Sequence, residues 1–428
     1  MEVFGMQLRL MILITNYFPF YKGEEYLENE INIASENFDK ILIIPTMIDD
    51  RMNQTRTIPS NVEILKINVD CSIHGKIKMI FHEAINVATK TKWIEVIRRE
   101  TGINPKKIGY YFYYLCRTEY VYRLISNDIN FNRIVKKIKN IILYSYWMHI
   151  TASVAARLKD RFFHDKIKCI TRGHRYDLYE YAAPCGFVPD RYYMLKQMDA
   201  VYPCSEDGAA YIRKYFPEYC NKVSVQRLGT NRHEQVSCSR TPIFHLVSCS
   251  VIRKVKRLDK IVAVIVDLLN KGYFIKWTHL GGGPEFNNIK KVITETLPSE
   301  SFCLMGQMKN QDIIKWYMSN AVSCFINLSD SEGVPVAIME AMSFGIPIVA
   351  TDVGGSREIV LNGKNGYLVS RDSSIKAISK CLEDIILMEE GNYNSLCKNS
   401  FKIWDERSNA KKLYEMFYIQ LRNFLNEK

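Results

Sequence analysis

The sequence predicts an α/β protein built from two doubly wound domains with parallel sheets. Short β-branched or aliphatic runs alternate with helix-length segments along the chain, which is typical of parallel βαβ units. This rhythm stops in a polar stretch at 230–242 and then starts again. The chain has 428 residues, more than one ordinary core accommodates. Hydrophobic residues make up 47% and charged residues 24%, as in a globular protein.

The predicted strands divide between the two halves of the chain. In the first half they lie at 8–15, 40–46, 140–147, 166–173, 200–205 and 222–229, and the segment 76–139 is predicted to be mostly helical. In the second half they lie at 243–251, 274–282, 301–306, 321–329 and 346–351. The chain ends in "NAKKLYEMFYIQLRNFLNEK", which is typical of a helix with an aromatic and aliphatic stripe. We therefore predict domains at 1–235 and 240–405 and a C-terminal helix at 406–428 that crosses back to the first domain. We expect the two domains to face a cleft, with ligands at the carboxyl ends of the strands.

The charge is positive and uneven. The formal net charge is +12, and residues 51–139 hold 17 Lys/Arg against 7 Asp/Glu. Such a region can face an anionic membrane or an anionic substrate, and a solvated basic surface is an equally good interpretation. The sequence has no nucleic-acid-binding motif, so we do not expect nucleic acid as a partner.

The cysteines and the hydrophobic runs indicate the compartment. Twelve cysteines are scattered without a CxxC pair, which indicates reduced core residues rather than a disulfide framework or a zinc site. No apolar run reaches the length of about 18 residues that a membrane span needs. We expect a cytoplasmic protein, with contact at the inner face of the membrane as an option.

One stretch of the second half, "SDSEGVPVAIMEAMSFGIPIVATDVGG" (329–355), carries the clearest functional pattern. Glu332 and Gly333 lie in a loop after a strand, and Glu340 lies on the helix that follows. Free N–H groups at a helix start favour phosphate, and glycine lets a ligand approach closely. Eight helical residues span about 12 Å, so each carboxylate can accept hydrogen bonds from separate hydroxyls. The layout fits a nucleotide sugar, whereas either glutamate alone would be typical of an ordinary surface acid.

The combination E-G-x-P-x-x-x-x-E, flanked by "GIPIVATDVGGSREIV", resembles the donor-site signature of retaining glycosyltransferases of the GT-B fold, the large family 4 group. The similarity covers most of residues 243–390. It implies two Rossmann-like domains, the first binding the acceptor and the second the donor. Carried over, Glu332 contacts the donor sugar, and the amides of Gly333 and Val334 lie near the sugar or the phosphates. Glu340 binds the ribose hydroxyls.

Other stretches extend the resemblance. In "SCSVIRKVKRLDKIV" the family places Arg and Lys on the diphosphate, and Lys256 matches the Lys while Val251 occupies the Arg position. Arg253 or Arg257 could compensate for Val251. Gly282 and Gly283 in "HLGGGPEF" resemble the glycine turn near the base or phosphate, although a simple strand-to-helix turn is an equal alternative.

The first domain contributes two further candidates. Gly23 stands where many family members carry a glycine pair against the donor phosphates. "TRGHRYDLYE" (171–180) resembles the segment that carries a histidine in the cleft, so His174 is expected against the donor sugar, flanked by Arg172 and Asp177.

The resemblance implies transfer with retention at the anomeric carbon. We expect front-face substitution in which the departing phosphate accepts the acceptor's proton, with His174, Lys256 and Glu332 as the catalytic residues. The chain shows no Asp-x-Asp carboxylate pair, so we expect neither a metal nor another cofactor beyond a UDP- or GDP-linked sugar.

The sequence does not decide whether the acceptor is a glycan or a lipid-linked saccharide. We expect the protein to act in bacterial surface polysaccharide synthesis. The basic, tyrosine-rich span 76–139, which includes the run 110–124, could lie against a membrane, or its aromatic residues could pack between helices. Two alternatives remain: another GT-B enzyme such as a nucleotide-sugar epimerase, and a catalytically silent sugar-nucleotide-binding partner of another transferase. The donor base, the sugar, the linkage and the oligomeric state are not fixed by any motif.

Overall fold

The computed structural model describes residues 8–20, 23–162, 167–233 and 243–425. The chain forms two compact units, which we call unit 1 (Met1–Gln226 with Tyr414–Lys428) and unit 2 (Arg227–Leu413). The domain boundary predicted between residues 235 and 240 lies outside the described residues.

Within its described residues, unit 1 contains one six-stranded sheet in which every strand pair is parallel. Its strands are β1 (Arg9–Thr15), β2 (Lys40–Pro45), β3 (Val62–Ile64), β4 (Asn140–Ser145), β5 (Lys168–Gly173) and β6 (Ala200–Pro203). Its helices are α1 (Tyr26–Asn37), α2 (Ile73–Lys90), α3 (Trp93–Val96), α4 (Pro105–Ser126), α5 (Ile129–Lys137), α6 (Ile150–Phe162), α7 (Arg191–Gln197) and α8 (Glu206–Tyr215). A π-helical turn at Ile97–Thr101 and 3-10 turns at Glu180–Ala182, Pro184–Gly186 and Pro217–Lys222 complete the unit. The helical segment predicted at 76–139 is therefore confirmed.

Unit 2 likewise contains one six-stranded parallel sheet among its described residues. Its strands are β7 (Phe244–Cys249), β8 (Ile275–Leu280), β9 (Phe302–Leu304), β10 (Cys324–Asn327), β11 (Ile348–Thr351) and β12 (Gly366–Val369). Its helices are α9 (Leu258–Asn270), α10 (Phe286–Thr296), α11 (Asn310–Ser319), α12 (Val336–Ser343), α13 (Ser356–Ile359), α14 (Ile375–Ile386) and α15 (Glu390–Arg407). Short 3-10 turns lie at Lys254–Lys256 and Ser299–Ser301, and α16 (Ala410–Phe424) ends the described chain.

The two sheets share one topology. The strand order is β3-β2-β1-β4-β5-β6 in unit 1 and β12-β11-β10-β7-β8-β9 in unit 2. When each unit's strands are counted from its own first strand, both orders are 3-2-1-4-5-6, the doubly wound arrangement with one strand-order reversal. Ligands of such sheets bind outside the carboxyl ends of the strands at that reversal. In unit 1 the reversal lies between β1 and β4, and in unit 2 between β7 and β10.

The cores follow from the strand sequences, because strands covered by helices on both faces are apolar throughout. Leu10 to Ile14 on β1 have no exposed surface, and Leu246 and Val247 on β7 are equally buried. Unit 1 also contains a buried ion pair, in which Arg172 Nη1 donates to Glu30 Oε2 over 2.7 Å. The hydroxyl of Tyr418 on α16 donates to the same carboxylate over 2.8 Å. The C-terminal helix therefore packs into unit 1, as predicted.

The predicted fold class is confirmed, but three strand predictions need correction. The run 222–229 does not form a strand of the sheet. It makes one bridge, between Val201 and Val223, and the amides of Ser224 and Gln226 donate to the carbonyls of Val201 and Pro203, but the pairing does not extend further. The short strands β3 and β12 were not predicted. Each has only three or four residues at the end of a sheet, too few to show a period.

None of the helices in the described parts of the chain is long and apolar enough to span a bilayer.

Candidate functional site

The strand-order reversal of unit 2 brings the loops after β7 and β10 together. The amide of Asp330 donates to the carbonyl of Val255 over 2.8 Å, which ties one loop to the other. Lys256 ends the 3-10 turn after β7, and its Nζ donates to Oε1 of Glu332 over 2.7 Å. Asn327, the last residue of β10, donates its side-chain amide to the same oxygen over 3.1 Å. Two predicted site residues, Lys256 and Glu332, are therefore in direct contact.

The second carboxylate of the motif, Glu340, lies on α12 and is buried. The side-chain amide of Asn310, the first residue of α11, donates to its Oε1 over 2.6 Å. No other residue in the described ranges hydrogen-bonds to this carboxylate. Burial raises the pKa of the Glu340 carboxyl to about 7, which the Asn310 hydrogen bond opposes. A buried carboxylate with one donor has room to accept hydrogen bonds from the hydroxyls of a ligand.

The backbone between the two glutamates is held in an open turn. The amides of Gly333 and Val334 donate to no other residue in the described part of the chain, and α12 begins two residues later at Val336. The carbonyl of Gly333 accepts a hydrogen bond from the amide of Gly355 over 2.7 Å, which joins this loop to the one after β11. Such amides next to a helix N-terminus suit an anionic group.

The contact between the loops after β10 and β11 requires glycine at position 354. Its φ is +52°, and a Cβ added there would lie 2.1 Å from the carbonyl oxygen of Glu332. An alanine at this position would therefore displace the backbone that carries Glu332.

The glycines after β8 show a similar close approach of backbone. The amide of Ile252 donates to the carbonyl of Gly282 over 2.8 Å, and a Cβ on Gly283 would lie 2.5 Å from the carbonyl oxygen of Ile252. The loops after β7 and β8 pack so closely that they leave no room for a side chain at Gly283, and Gly282 joins them through its carbonyl. Their predicted contact with the donor stays a prediction.

The basic residues after β7 differ in what they contact. Arg257 donates to Asp330 over 3.1 Å and to Asp259 over 2.9 Å. Arg253 is exposed, and its guanidinium contacts no acid among the described residues. Val251, at the position where the family carries Arg, is also exposed. Because the charge of Arg257 is already matched by two carboxylates, Arg253 is the better candidate to replace the missing arginine.

The corresponding loop of unit 1 is filled by the chain's own carboxylate. Glu24 is buried and accepts hydrogen bonds from the amides of Asn16, Tyr17 and Phe18, over 2.8, 2.8 and 2.7 Å. Trp147 Nε1, after β4, donates to it over 2.6 Å. Gly23 precedes Glu24 with φ +95°. The amides at the end of β1 are thus already paired, so Gly23 lies in a loop whose anion-binding groups are occupied.

His174 follows β5 and lies against two aromatic rings. Its ring centroid is 4.4 Å from that of Trp147 and 4.9 Å from that of Tyr146. Its Nδ1 is 3.7 Å from Asp177 Oδ2, beyond a hydrogen bond, and neither ring nitrogen is hydrogen-bonded within the described residues. The buried Asp177 accepts instead from the amides of Met148 and His174, over 2.8 and 2.9 Å. Both ring nitrogens are buried. Burial lowers the pKa of His174, but the neighbouring Cys204 and Asp177 outweigh it and raise this pKa to about 10.

Arg172 does not flank His174 in the way that the sequence suggested. It is fully buried and pairs with Glu30, so it belongs to the core of unit 1. The sequence pattern could not separate the two residues, because residues two apart on a strand share a face, whereas β5 ends at Gly173, before His174.

Four residues of the two loop regions were missed: Glu24, Trp147, Asn310 and Asn327. Asn327 had a usable signal, since it ends a predicted strand next to the motif. Trp147 and Asn310 are brought in from distant parts of the chain, and Glu24 lies beside Gly23 but gave no signal of its own. In the described residues there is no cluster of three His, Cys, Asp or Glu side chains placed to hold a metal ion.

Comparison with known proteins extends these observations. Residues 235–402 match the family model of glycosyl transferases group 1. The putative colanic acid biosynthesis glycosyltransferase WcaL of Salmonella typhimurium is 27% identical over 219 residues, which are 48% of this chain and 52% of that protein. The chain spans about half the length of this relative.

Two solved structures share the fold. Sucrose-phosphate synthase from Thermosynechococcus elongatus aligns with a TM-score of 0.70 at 14% identity, covering 98% of this chain and 99% of that one. Anabaena HepE, solved in complex with UDP-glucose, aligns with a TM-score of 0.60 at 13% identity, covering 96% of this chain and 99% of that one. The solved structures support a fold of two Rossmann-like domains, and the family model matches a region that lies mostly in the second of them.

Proposed function

We propose that the protein is a retaining glycosyltransferase that moves a sugar from a UDP- or GDP-linked donor to a glycan or lipid-linked acceptor in bacterial surface polysaccharide synthesis. The observation that carries the proposal is the contact of Lys256 with Glu332 at the strand-order reversal of unit 2, together with the nearby motif residue Glu340. The match to group 1 glycosyl transferases and the similarity to a colanic acid glycosyltransferase support it.

Hydrogen-bond acceptors and hydrogen-bond donors of unit 2 hold different parts of the nucleotide sugar. Glu340, buried and bonded only to Asn310 among the described side chains, accepts hydrogen bonds from the ribose hydroxyls. The amides of Gly333 and Val334 and the N-terminus of α12 receive the diphosphate. Binding of hydroxyl donors favours the charged form of Glu340, so donor binding lowers the pKa of this carboxyl from about 7.

The ion pair between Lys256 and Glu332 rearranges when the donor binds. Without donor, the two charges neutralise each other over 2.7 Å. An incoming diphosphate competes for the ammonium group, and Lys256 then balances phosphate charge while Glu332 turns to the sugar hydroxyls. A charge already positioned before binding costs little reorganisation when the leaving group develops charge.

The reaction is a front-face substitution. The bond from the anomeric carbon to the diphosphate oxygen breaks, and the acceptor oxygen forms its bond to that carbon on the same face. The acceptor's proton passes to the departing phosphate oxygen, so the products are a glycoside and a nucleoside diphosphate. Lys256 stabilises the charge on the leaving diphosphate.

Product analysis tests the proposal. Purified protein is incubated with UDP- and GDP-linked sugars and a panel of oligosaccharide and lipid-linked acceptors, and the anomeric configuration of any glycoside is determined by NMR. We expect one nucleotide class to react and the donor configuration to be kept. An inverted product would contradict retention.

A second candidate is a catalytically silent partner of another transferase. It is favoured by Val251, an exposed valine at the position where the family carries its diphosphate arginine. Tight binding of a nucleoside diphosphate without turnover on any acceptor would support this candidate over the enzyme.

A further inference from the structure

Helix α2 of unit 1 carries large hydrophobic side chains on its solvent face. They recur at every fourth residue and are between 48% and 80% exposed: Ile73, Ile77, Phe81 and Ile85. We call this row the α2 stripe. The opposite, buried row consists of Gly75, Met79, Glu83 and Val87. An ordinary surface helix turns its apolar side chains to the core, whereas α2 also carries four of them on its solvent face.

The orientation of α2 is fixed by an ion pair. Glu83 is buried, and its Oε1 lies 2.7 Å from Nη2 of Arg123 on α4. Rotation of α2 to bury the stripe would carry Glu83 into solvent and leave Arg123 without this partner. The packing of unit 1 therefore holds the four hydrophobic side chains outward.

The stripe is bordered by positive charge. Lys76, Lys78 and Lys90 on α2 are exposed, and the sole acid on this helix is the buried Glu83. Residues 73–107 contain eight Lys/Arg and three Asp/Glu. Of the other two acids, Glu95 is paired with Arg99 over 2.8 Å, and burial raises the pKa of Glu100 to about 7.

We propose that the α2 stripe docks unit 1 on an anionic lipid bilayer. The hydrophobic side chains would enter the boundary between head groups and acyl chains, and the flanking lysines would contact anionic head groups. Apolar side chains on one helix face with bordering cations are the combination that binds this boundary. The inference goes beyond the proposed sugar transfer and does not depend on it.

The size of the stripe favours a bilayer over a second copy of the chain. The row spans about 18 Å of helix and offers apolar area on the order of 400 Å². A stable protein interface buries about 800 Å² on each partner, roughly twice that area. A bilayer sets no such minimum, because lipid surrounds each inserted side chain separately.

The sequence offered the span 76–139 as a membrane contact, and within it none of the tyrosines of the run 110–124 is exposed. Tyr111 and Tyr114 on α4 are buried, and Tyr114 bonds to Ser153 over 2.7 Å. These tyrosines pack between helices, and the adjacent α2 presents the exposed hydrophobic side chains instead.

Vesicle co-sedimentation of the full chain tests the proposal without any nucleotide or acceptor. The vesicles are phosphatidylcholine alone and phosphatidylcholine mixed with phosphatidylglycerol. We expect binding to the mixed vesicles, weaker binding to phosphatidylcholine, and partial loss of binding at high salt. Phe81→Ser/Ile85→Ser should reduce binding by about tenfold or more, because two inserting side chains are lost.

A matched control is Phe274→Ser in unit 2, where the phenylalanine is 78% exposed. This variant should bind vesicles as the unsubstituted chain does, and both variants should keep their melting temperature. Binding of the double variant at the unsubstituted level would overturn the proposal, and so would absence of binding to mixed vesicles. A dimer in light scattering that the double variant disrupts would assign the stripe to a second copy and also overturn it.

Discussion

The strand-order reversals of the two units have the same topology but different hydrogen bonding. In each, the loop after the first strand meets the loop after the fourth strand at the strand-order reversal. In unit 1 the contact joins Glu24 to Trp147, and four N–H groups of the described residues donate to Glu24. In unit 2 the contact is the ion pair of Lys256 and Glu332, and one group of the described residues donates to the buried Glu340.

The difference teaches how to separate scaffold from site in a repeated fold. A buried carboxylate with a full set of donors stabilises the loop around it, because every polar group is paired. A buried carboxylate with one donor destabilises the empty site and becomes favourable only when a ligand supplies the missing partners. This criterion favours the reversal in unit 2 as the ligand site that we propose, and it predicts that Glu24 stabilises the loop at the reversal in unit 1.

The largest effect is expected at Lys256. Lys256→Ala removes the cation that balances the leaving diphosphate, and we expect kcat to fall by about 10²- to 10³-fold. The measurement is steady-state transfer with the donor identified by product analysis. Lys290→Ala on α10, an exposed lysine in the same unit, is the control and should keep full activity. A kcat within a fewfold of the unsubstituted enzyme would mean that Lys256 is not at the leaving group.

The second effect tests the structural role of Glu24. Glu24→Ala leaves three backbone amides and an indole N–H without their acceptor, so we expect the free energy of unfolding to fall by about 3 kcal/mol. Urea denaturation measures it. The neighbouring Glu25→Ala removes an exposed partner of Arg56 and should cost about 0.5 kcal/mol. Equal losses in the two variants would break the comparison.

A smaller effect with the opposite sign is expected at Glu340. The pKa of this carboxyl is about 7 in the folded chain, above its ordinary value of 4.5. Between these pH values the folded state keeps a proton that the unfolded state has lost, so this contribution to stability falls as pH rises towards 7. Glu340→Gln should therefore raise the free energy of unfolding by about 2 kcal/mol at neutral to alkaline pH.

The gain should shrink as the pH is lowered towards 4.5, where the carboxyl is protonated in the folded chain of the unsubstituted protein. Urea denaturation across this pH range gives the profile. A gain of equal size at every pH would show that the effect is not caused by the buried charge.

Much of the fold followed from the sequence, because local patterns determined it. The apolar runs at 8–15 and 40–46 lie almost on β1 and β2, since strands of a doubly covered parallel sheet are apolar along their whole length. The run 222–229 was wrongly predicted to be a strand, because a hydrophobic pattern indicates that residues are buried and does not indicate that they pair with a neighbouring strand. β3 and β12 were not predicted, because three or four residues are too few to show the alternation of a strand.

The candidate site was predicted in part. Glu332 and Glu340 lie eight residues apart on one strand-loop-helix unit, so the sequence contained their relation. Asn310 reaches Glu340 from another helix, 30 residues away, which no local pattern shows. Glu24 lies close in sequence to the amides that it accepts from, but this contact depends on the path of the loop after β1. The exposed row on α2 was also hidden, since a helical pattern shows two faces without saying which one is buried.

Isothermal titration with UDP, GDP, ADP and CMP, on the unsubstituted chain and on Glu340→Ala, tests the central claim most directly. We predict that one nucleoside diphosphate binds and that Glu340→Ala weakens its binding about tenfold, through lost hydrogen bonds to the ribose. Unchanged affinity in the variant, or no binding of any of the four, would contradict the assignment of the unit 2 reversal as the donor site.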